Sequence, residues 1–156
     1  MKTLYVLSGI PGSGKSTWAK QFFAAHKDNT YIVASDDIRM ELGGSYQYFK
    51  EEANVWKIFY DRIREYSKKE GDVNVIADST CLQNQFRVLA FTEAPTYDKY
   101  VLVFFNIDPE IAKARNESRP GGKVVVPEGM AALIKELEQP NEKVRNIFDE
   151  VIIITK

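Results

Sequence analysis

The chain has one cysteine, one histidine and almost no net charge, and each scarcity removes a class of protein. Cys81 alone cannot close an internal disulfide, which excludes disulfide-stapled scaffolds and fits a reducing compartment. His26 alone rules out a catalytic histidine pair. Lys and Arg total 21 against 22 Asp and Glu, a net charge of −1. The basic excess that lets a protein coat duplex nucleic acid is therefore missing, although gripping one strand end needs only a few phosphate contacts. The longest apolar runs, such as Tyr100–Phe105, fall far short of a membrane span. Polar residues follow the opening MKTLYVLSG too soon for a secretory leader. Nine glycines and six prolines in 156 residues are too few for a collagenous or low-complexity chain. A cytoplasmic protein forming one domain over 1–156, with no membrane partner, is expected.

What is present is a regular alternation of short apolar runs and amphipathic segments, 44% hydrophobic and 28% charged overall. Strands are predicted at Lys2–Leu7, Tyr31–Ala34, Val73–Ala77, Tyr100–Asn106 and Val151–Ile154. Helices are predicted from Lys15 to about Lys27, at Asp36–Leu42 (closed by Gly43-Gly44), Tyr46–Glu70, Asn84–Glu93, Pro109–Arg119 and Glu128–Glu138, with Asn141–Phe148 leading into the last strand. Strands alternating with helices argue for an α/β, three-layer fold with a five-stranded parallel sheet flanked by helices, and the Gly-rich turn Gly9–Ser16 after the first strand makes it a P-loop NTPase fold.

Gly9-Ile10-Pro11-Gly12-Ser13-Gly14-Lys15-Ser16 satisfies G-x-x-x-x-G-K-[ST] in full, between a predicted strand and a predicted helix. Glycines let successive N–H groups turn inward around an anion, and the following helix adds the positive end of its dipole. Gly9, Pro11, Gly12, Ser13, Gly14, Lys15, Ser16 and Thr17 are thus the expected nucleotide contacts. Lys15 would reach the β- and γ-phosphates and the Ser16 hydroxyl would hold Mg²⁺. The base-reading Asn-Lys-x-Asp and the switch Asp-x-x-Gly of GTP-binding switches are absent, and the chain is too small for a motor ATPase. A small phosphotransferase using ATP and Mg²⁺ remains.

Such an enzyme needs an acceptor base, a cation for the acceptor and a mobile charge clamp. Ser35-Asp36-Asp37-Ile38-Arg39 follows the second strand, at the sheet edge where ligands of parallel sheets collect. Asp36 and Arg39 share a helix face; the carboxylate would take a hydroxyl proton and the guanidinium would hold an acceptor phosphate. The same pentapeptide would also serve as a helix start with an i,i+3 ion pair. Asp78, at the end of the third strand, would help hold Mg²⁺ through water or cap the loop. Arg115 and Arg119 precede Pro120-Gly121-Gly122 in a segment, about 115–127, suited to close over nucleotide as a lid. Phe49, Trp56 and Tyr60 recur at helical spacing and read as core rather than a base-stacking platform; Tyr46 and Tyr48 are better placed to touch a substrate base. Cys81 reads as a small buried residue.

These motifs together resemble the kinase domain of bacteriophage-type polynucleotide 5′-kinases over nearly the whole chain. GIPGSGKSTWAKQF is similar to that family's phosphate loop and first helix, SDDIR to its Asp-Asp-x-x-Arg acceptor motif, ADSTCLQ to its strand-end segment and RNESRPGGKVVVPEGM to its lid. The resemblance implies transfer of the ATP γ-phosphate to the 5′-hydroxyl of DNA or RNA. Lys15, Asp36 and Arg119 would be catalytic, Arg115 would touch nucleotide, and Arg39 and Asp78 would serve the acceptor region. Pro120 among the lid glycines departs from the pattern. No Asp-x-Asp-Gly-Thr string is present, so phosphatase activity is not expected, and one histidine excludes a paired-histidine phosphodiesterase motif. A kinase acting on a hydroxyl of a small molecule, nucleoside or nucleotide-sugar and a non-catalytic nucleotide-binding module stay open, as does a homo-oligomer.

Overall fold

The computed structural model describes all residues 1–156. Strands β1 (Lys2–Ser8), β2 (Thr30–Ala34), β3 (Val73–Asp78), β4 (Lys99–Phe105) and β5 (Glu150–Ile154) form one sheet in the order β2-β3-β1-β4-β5. Every neighbouring pair is parallel. Helices α1 (Lys15–Ala25), α2 (Ser35–Gly43), α3 (Glu52–Tyr66), α4 (Asn84–Glu93), α5 (Pro109–Glu117), α6 (Pro127–Glu136) and α7 (Glu142–Ile147) fill the crossovers. None is long and apolar enough to cross a membrane.

Side chains alternate between the faces of a strand, and β4 shows the consequence. Tyr100 and Leu102 join one apolar cluster with Ile38, Val55, Phe59, Ile63, Ala90 and Val144. Val101, Val103 and Phe105 join a second with Ala19 and Ala112. Helices α2, α3, α4 and α7 therefore cover one face, and α1 and α5 the other. This three-layer arrangement is why β4 carries no polar interruption from Tyr100 to Phe105.

Several helix ends differ from the sequence expectation, including the C-terminal ends of α3, at Tyr66 rather than Glu70, and of α6, at Glu136 rather than Glu138. Helix α1 stops at Ala25, because His26 leaves the helical region at φ −138° and a 3₁₀ turn, Lys27–Asn29, follows. Helix α5 stops at Glu117, so Arg119 lies in the turn beyond it. The largest difference is at α3, expected from Tyr46 and beginning at Glu52. Its buried stripe is Val55, Phe59 and Ile63, while Phe49, expected in the core, is 61% exposed in the preceding loop. That loop is pinned by the Tyr48 ring, which packs so closely that a Cβ on Gly43 would lie 2.1 Å from it. Aromatic spacing mimicked a helical stripe there because the ring at Phe49 serves the cleft rather than the core. Cys81 is half-buried, at φ 45°.

One buried charge organises the end of β1. Arg87 of α4 is fully buried. Its guanidinium donates to Ser8 Oγ (3.1 and 3.2 Å), Asn84 Oδ1 (2.8 Å) and the carbonyls of Leu82 (3.1 Å) and Glu138 (2.7 Å). Those acceptors belong to β1, the β3–α4 connection, the first turn of α4 and the segment after α6, which the cation ties together; burial lowers its pKa.

Phe59 is 2% exposed and meets Trp56 and Tyr60 edge-on. Phe59→Ala is expected to destabilise the fold by about 3–5 kcal/mol through lost transfer energy and a residual cavity. Urea unfolding should show a lower midpoint at unchanged slope.

Candidate active site

The carboxyl ends of β1, β2 and β3 open into a cleft of about 1270 Å³. That exceeds the ordinary volume of a single small-ligand pocket and leaves space for two substrates side by side. At its floor the chain passes from β1 into α1 through left-handed glycines, Gly12 at φ 83° and Gly14 at φ 100°. A Cβ on Gly12 would lie 2.2 Å from the Ala112 carbonyl oxygen, so the loop packs directly on the α5 backbone and only glycine fits. The first helical bond of α1 runs from Trp18 N–H to the Gly14 carbonyl at 3.0 Å. The N–H groups of Lys15, Ser16 and Thr17 therefore have no helical acceptor. No side chain caps this end and no acidic residue sits in its first turn, which leaves an open anion site.

The expected contacts divide within this loop. Lys15 Nζ donates to the Gly9 and Ile10 carbonyls at 2.8 and 3.0 Å. Desolvation lowers its pKa to about 8; Asp78 and Asp36 oppose the shift and Arg119 adds to it. Ser16 Oγ lies 3.5 Å from Asp78 Oδ2, and burial pushes the Asp78 carboxyl up against the opposing pull of Lys15. Ser13 keeps its hydroxyl buried without a hydrogen-bond partner and spends its N–H on the Ile10 carbonyl at 3.2 Å. Pro11 has no N–H, so Pro11 and Gly12 shape the path. Gly9 N–H donates to the Thr80 carbonyl at 2.8 Å, holding the loop to the end of β3. Burial pushes the neighbouring Cys81 thiol up to about 12, so it is no nucleophile at neutral pH.

On the wall formed by α2, Arg39 is clasped on several sides. Its Nη1 donates to Asp36 Oδ1 at 2.9 Å, and Nε and Nη2 grip Glu52 at 3.0 and 2.7 Å. The guanidinium also lies over the Phe49 and Trp56 rings, 5.2 and 5.6 Å from their centroids. The structure thus contains the i,i+3 pair that the sequence suggested, plus a bidentate carboxylate from the first turn of α3. Glu52 stands thirteen residues from Arg39, a separation without a local sequence signal.

The opposite wall is the segment after α5. Arg115, Arg119 and Lys123 all line the cleft. Asn116, buried, closes the base of this segment by accepting from Val125 N–H at 3.0 Å and donating to the Val125 carbonyl at 2.7 Å. Gln47 donates to the Val124 carbonyl at 2.6 Å, and the Lys123 ammonium lies 4.9 Å from the Tyr46 ring centroid. The loop before α3 and the segment after α5 thereby meet across the cleft. Tyr46 is part of that roof. Tyr48 is turned onto Gly43 and bonds Glu51 at 2.8 Å, outside the cleft. His26 bonds the Phe22 carbonyl at 3.0 Å, the helix-end position expected of it. No cluster of three or more His, Cys, Asp or Glu side chains is arranged to hold a metal.

The desolvated Lys15 makes polyphosphate binding depend on proton uptake. An anion in the loop favours the ammonium, so affinity should be flat below the free-protein pKa of about 8 and weaken as pH rises above it. Calorimetry of triphosphate binding near pH 8–9, in buffers of different ionisation enthalpy, should show net proton uptake. Lys15→Met should abolish it. The same depressed pKa makes the folded state lose stability as pH falls from the ordinary lysine range to about 8, where the loss is complete.

Residues 4–140 match the model of a family described as AAA domain. The mouse 2′,3′-cyclic-nucleotide 3′-phosphodiesterase (Mus musculus) is 30% identical over 111 residues, 71% of this chain and 24% of that protein. The chain thus spans about a quarter of the length of the curated relatives it matches. A fungal RNA kinase superposes with a TM-score of 0.72 at 16% identity, over 97% of this chain and 74% of that one. A gluconokinase from Sinorhizobium meliloti 1021 does so with a TM-score of 0.60 at 18% identity, over 98% and 82%. At these identities the two kinases share its fold. With that match spanning the phosphate loop, helix α2 and the Arg115–Arg119 segment, the chain belongs to the AAA domain family, on a P-loop kinase-like fold.

Proposed function

We propose that this chain is an ATP-dependent polynucleotide 5′-hydroxyl kinase. The observation that carries the reading is that one cleft contains both the open phosphate loop with Lys15 and, on a different wall, the Asp36 carboxylate beside an immobilised Arg39. A protein that only bound nucleotide would need the first and not the second. The volume of the cleft and the fold likeness to an RNA kinase support the same reading.

Within it, ATP is the donor substrate and its phosphates take the N–H groups at the start of α1. Ser16 and Asp78, a hydroxyl and a carboxylate facing each other, form an oxygen donor set of the kind Mg²⁺ prefers and would hold that ion, which neutralises phosphate charge when bound. Asp36 accepts the proton of the 5′-hydroxyl through the oxygen not committed to Arg39. The hydroxyl oxygen bonds to the γ-phosphorus as the bond from that phosphorus to the β–γ bridging oxygen breaks, and ADP leaves. Arg39 positions the acceptor phosphate with the one Nη2 hydrogen that Glu52, Asp36 and Ser35 leave free. Residues 115–127 act as a lid, in which Arg119 stabilises charge on the transferring group and Arg115, beside Gly14, steadies the donor phosphates.

The second reading, a kinase for a small hydroxylated acceptor, is favoured by the fold likeness to gluconokinase. The deciding assay is transfer of labelled γ-phosphate from ATP–Mg²⁺ to a 5′-hydroxyl oligonucleotide, with a 5′-phosphorylated strand and Lys15→Ala as blanks. Label on the 5′-hydroxyl strand alone is expected; label only on a small polyol or sugar acid would establish the second reading. Asp36→Asn should keep ATP binding and lower kcat by roughly 10²–10⁴-fold. Arg39→Ala should raise KM for the oligonucleotide far more than for ATP. Arg119→Ala should lower kcat, by up to about 10³-fold for a group that acts on transition-state charge.

A further inference from the structure

Phe49 is a large apolar side chain, 61% exposed, yet it stands inside the cleft rather than on the outer surface. Neither its helical spacing nor a role in the core accounts for it. One part of the ring is taken by the Arg39 guanidinium at 5.2 Å. That cation is held by Glu52 at 3.0 and 2.7 Å and by Asp36 at 2.9 Å. A ring resting on a fixed cation is held in place, and its exposed remainder lines the same cleft as Asp36. Building on the kinase reading above, we propose that Phe49 is the stacking platform for the nucleobase of the acceptor's terminal nucleoside, and so selects a nucleoside-bearing acceptor over a polyol or sugar acid.

The chemistry of the wall favours a base. A polyol or sugar acid presents hydroxyls and a carboxylate, and the Phe49 ring offers none of them a hydrogen-bond partner. A nucleobase offers a flat π-face and covers exposed apolar surface at little conformational cost. Position agrees: Asp36 and the Phe49 ring both contact the Arg39 guanidinium, so the carboxylate and the ring are neighbours across one side chain. Trp56, also over Arg39, backs the cation from α3. Because every base has a π-face, the platform requires a base without reading which base it is.

The test compares kcat/KM on two 5′-hydroxyl oligonucleotides, one with an ordinary 5′-terminal nucleoside and one whose terminal residue is an abasic tetrahydrofuran, for wild type, Phe49→Ala and Phe49→Trp. Wild type is expected to favour the ordinary end roughly 10-fold or more, in line with the worth of base–aromatic stacking. Phe49→Ala should lose that preference while its ATP KM stays unchanged, and Phe49→Trp should keep it. Equal wild-type efficiency on both ends, or a Phe49→Ala penalty of the same size on both, overturns the platform and leaves the kinase reading standing. Absence of transfer to either end by wild type overturns the kinase reading and the platform with it.

Discussion

Every strand in the sheet runs the same way, and both faces of the sheet are covered. That constraint sends the chain back over the sheet after each strand, so the turns that follow β1, β2 and β3 all emerge at one edge. With β1 between β3 and β4, and β2 beyond β3, the phosphate loop, Asp36 and Asp78 are brought together from positions far apart in the chain. The apolar alternation that buries β4 on two sides thus also makes the cleft.

The edge concentrates cations, and the protein treats three of them in different ways. Lys15 is desolvated, which lowers its pKa, and is held by two backbone carbonyls. Arg87 is buried completely and satisfied by a hydroxyl, an amide and carbonyls, with no carboxylate; it serves as a strut between β1, the β3–α4 connection and the segment after α6. Arg39 is gripped by two carboxylates and lies over two rings, so its charge is screened and its orientation fixed. The first arrangement suits a group that must meet phosphate and the second a group that must not move. The third suits a group that presents a defined face.

Residues distant in sequence complete the walls. Asn116 closes the segment that carries Arg119, and Gln47 joins that segment to the loop before α3. Each bond commits a side-chain amide to a backbone group, a pairing that sequence spacing does not encode. The failure at Tyr46–Lys50 has the same origin. Phe49 has the spacing of a core aromatic, but its partner is Arg39, and the buried stripe of α3 begins at Val55.

Local rules were enough for the phosphate loop, the strand-after-helix order, the parallel five-stranded sheet and the i,i+3 placement of Asp36 and Arg39. The loop, the elements and the ion pair depend on residues within a few positions of one another, where backbone geometry and periodicity dominate, and the parallel sheet follows from the alternation of strands with helices. The strand order, the bidentate grip of Glu52 on Arg39, the complete burial of Arg87 and the contact of Gln47 with Val124 were decided only by the tertiary structure. They join groups up to 96 residues apart, and such contacts are selected by how whole elements pack.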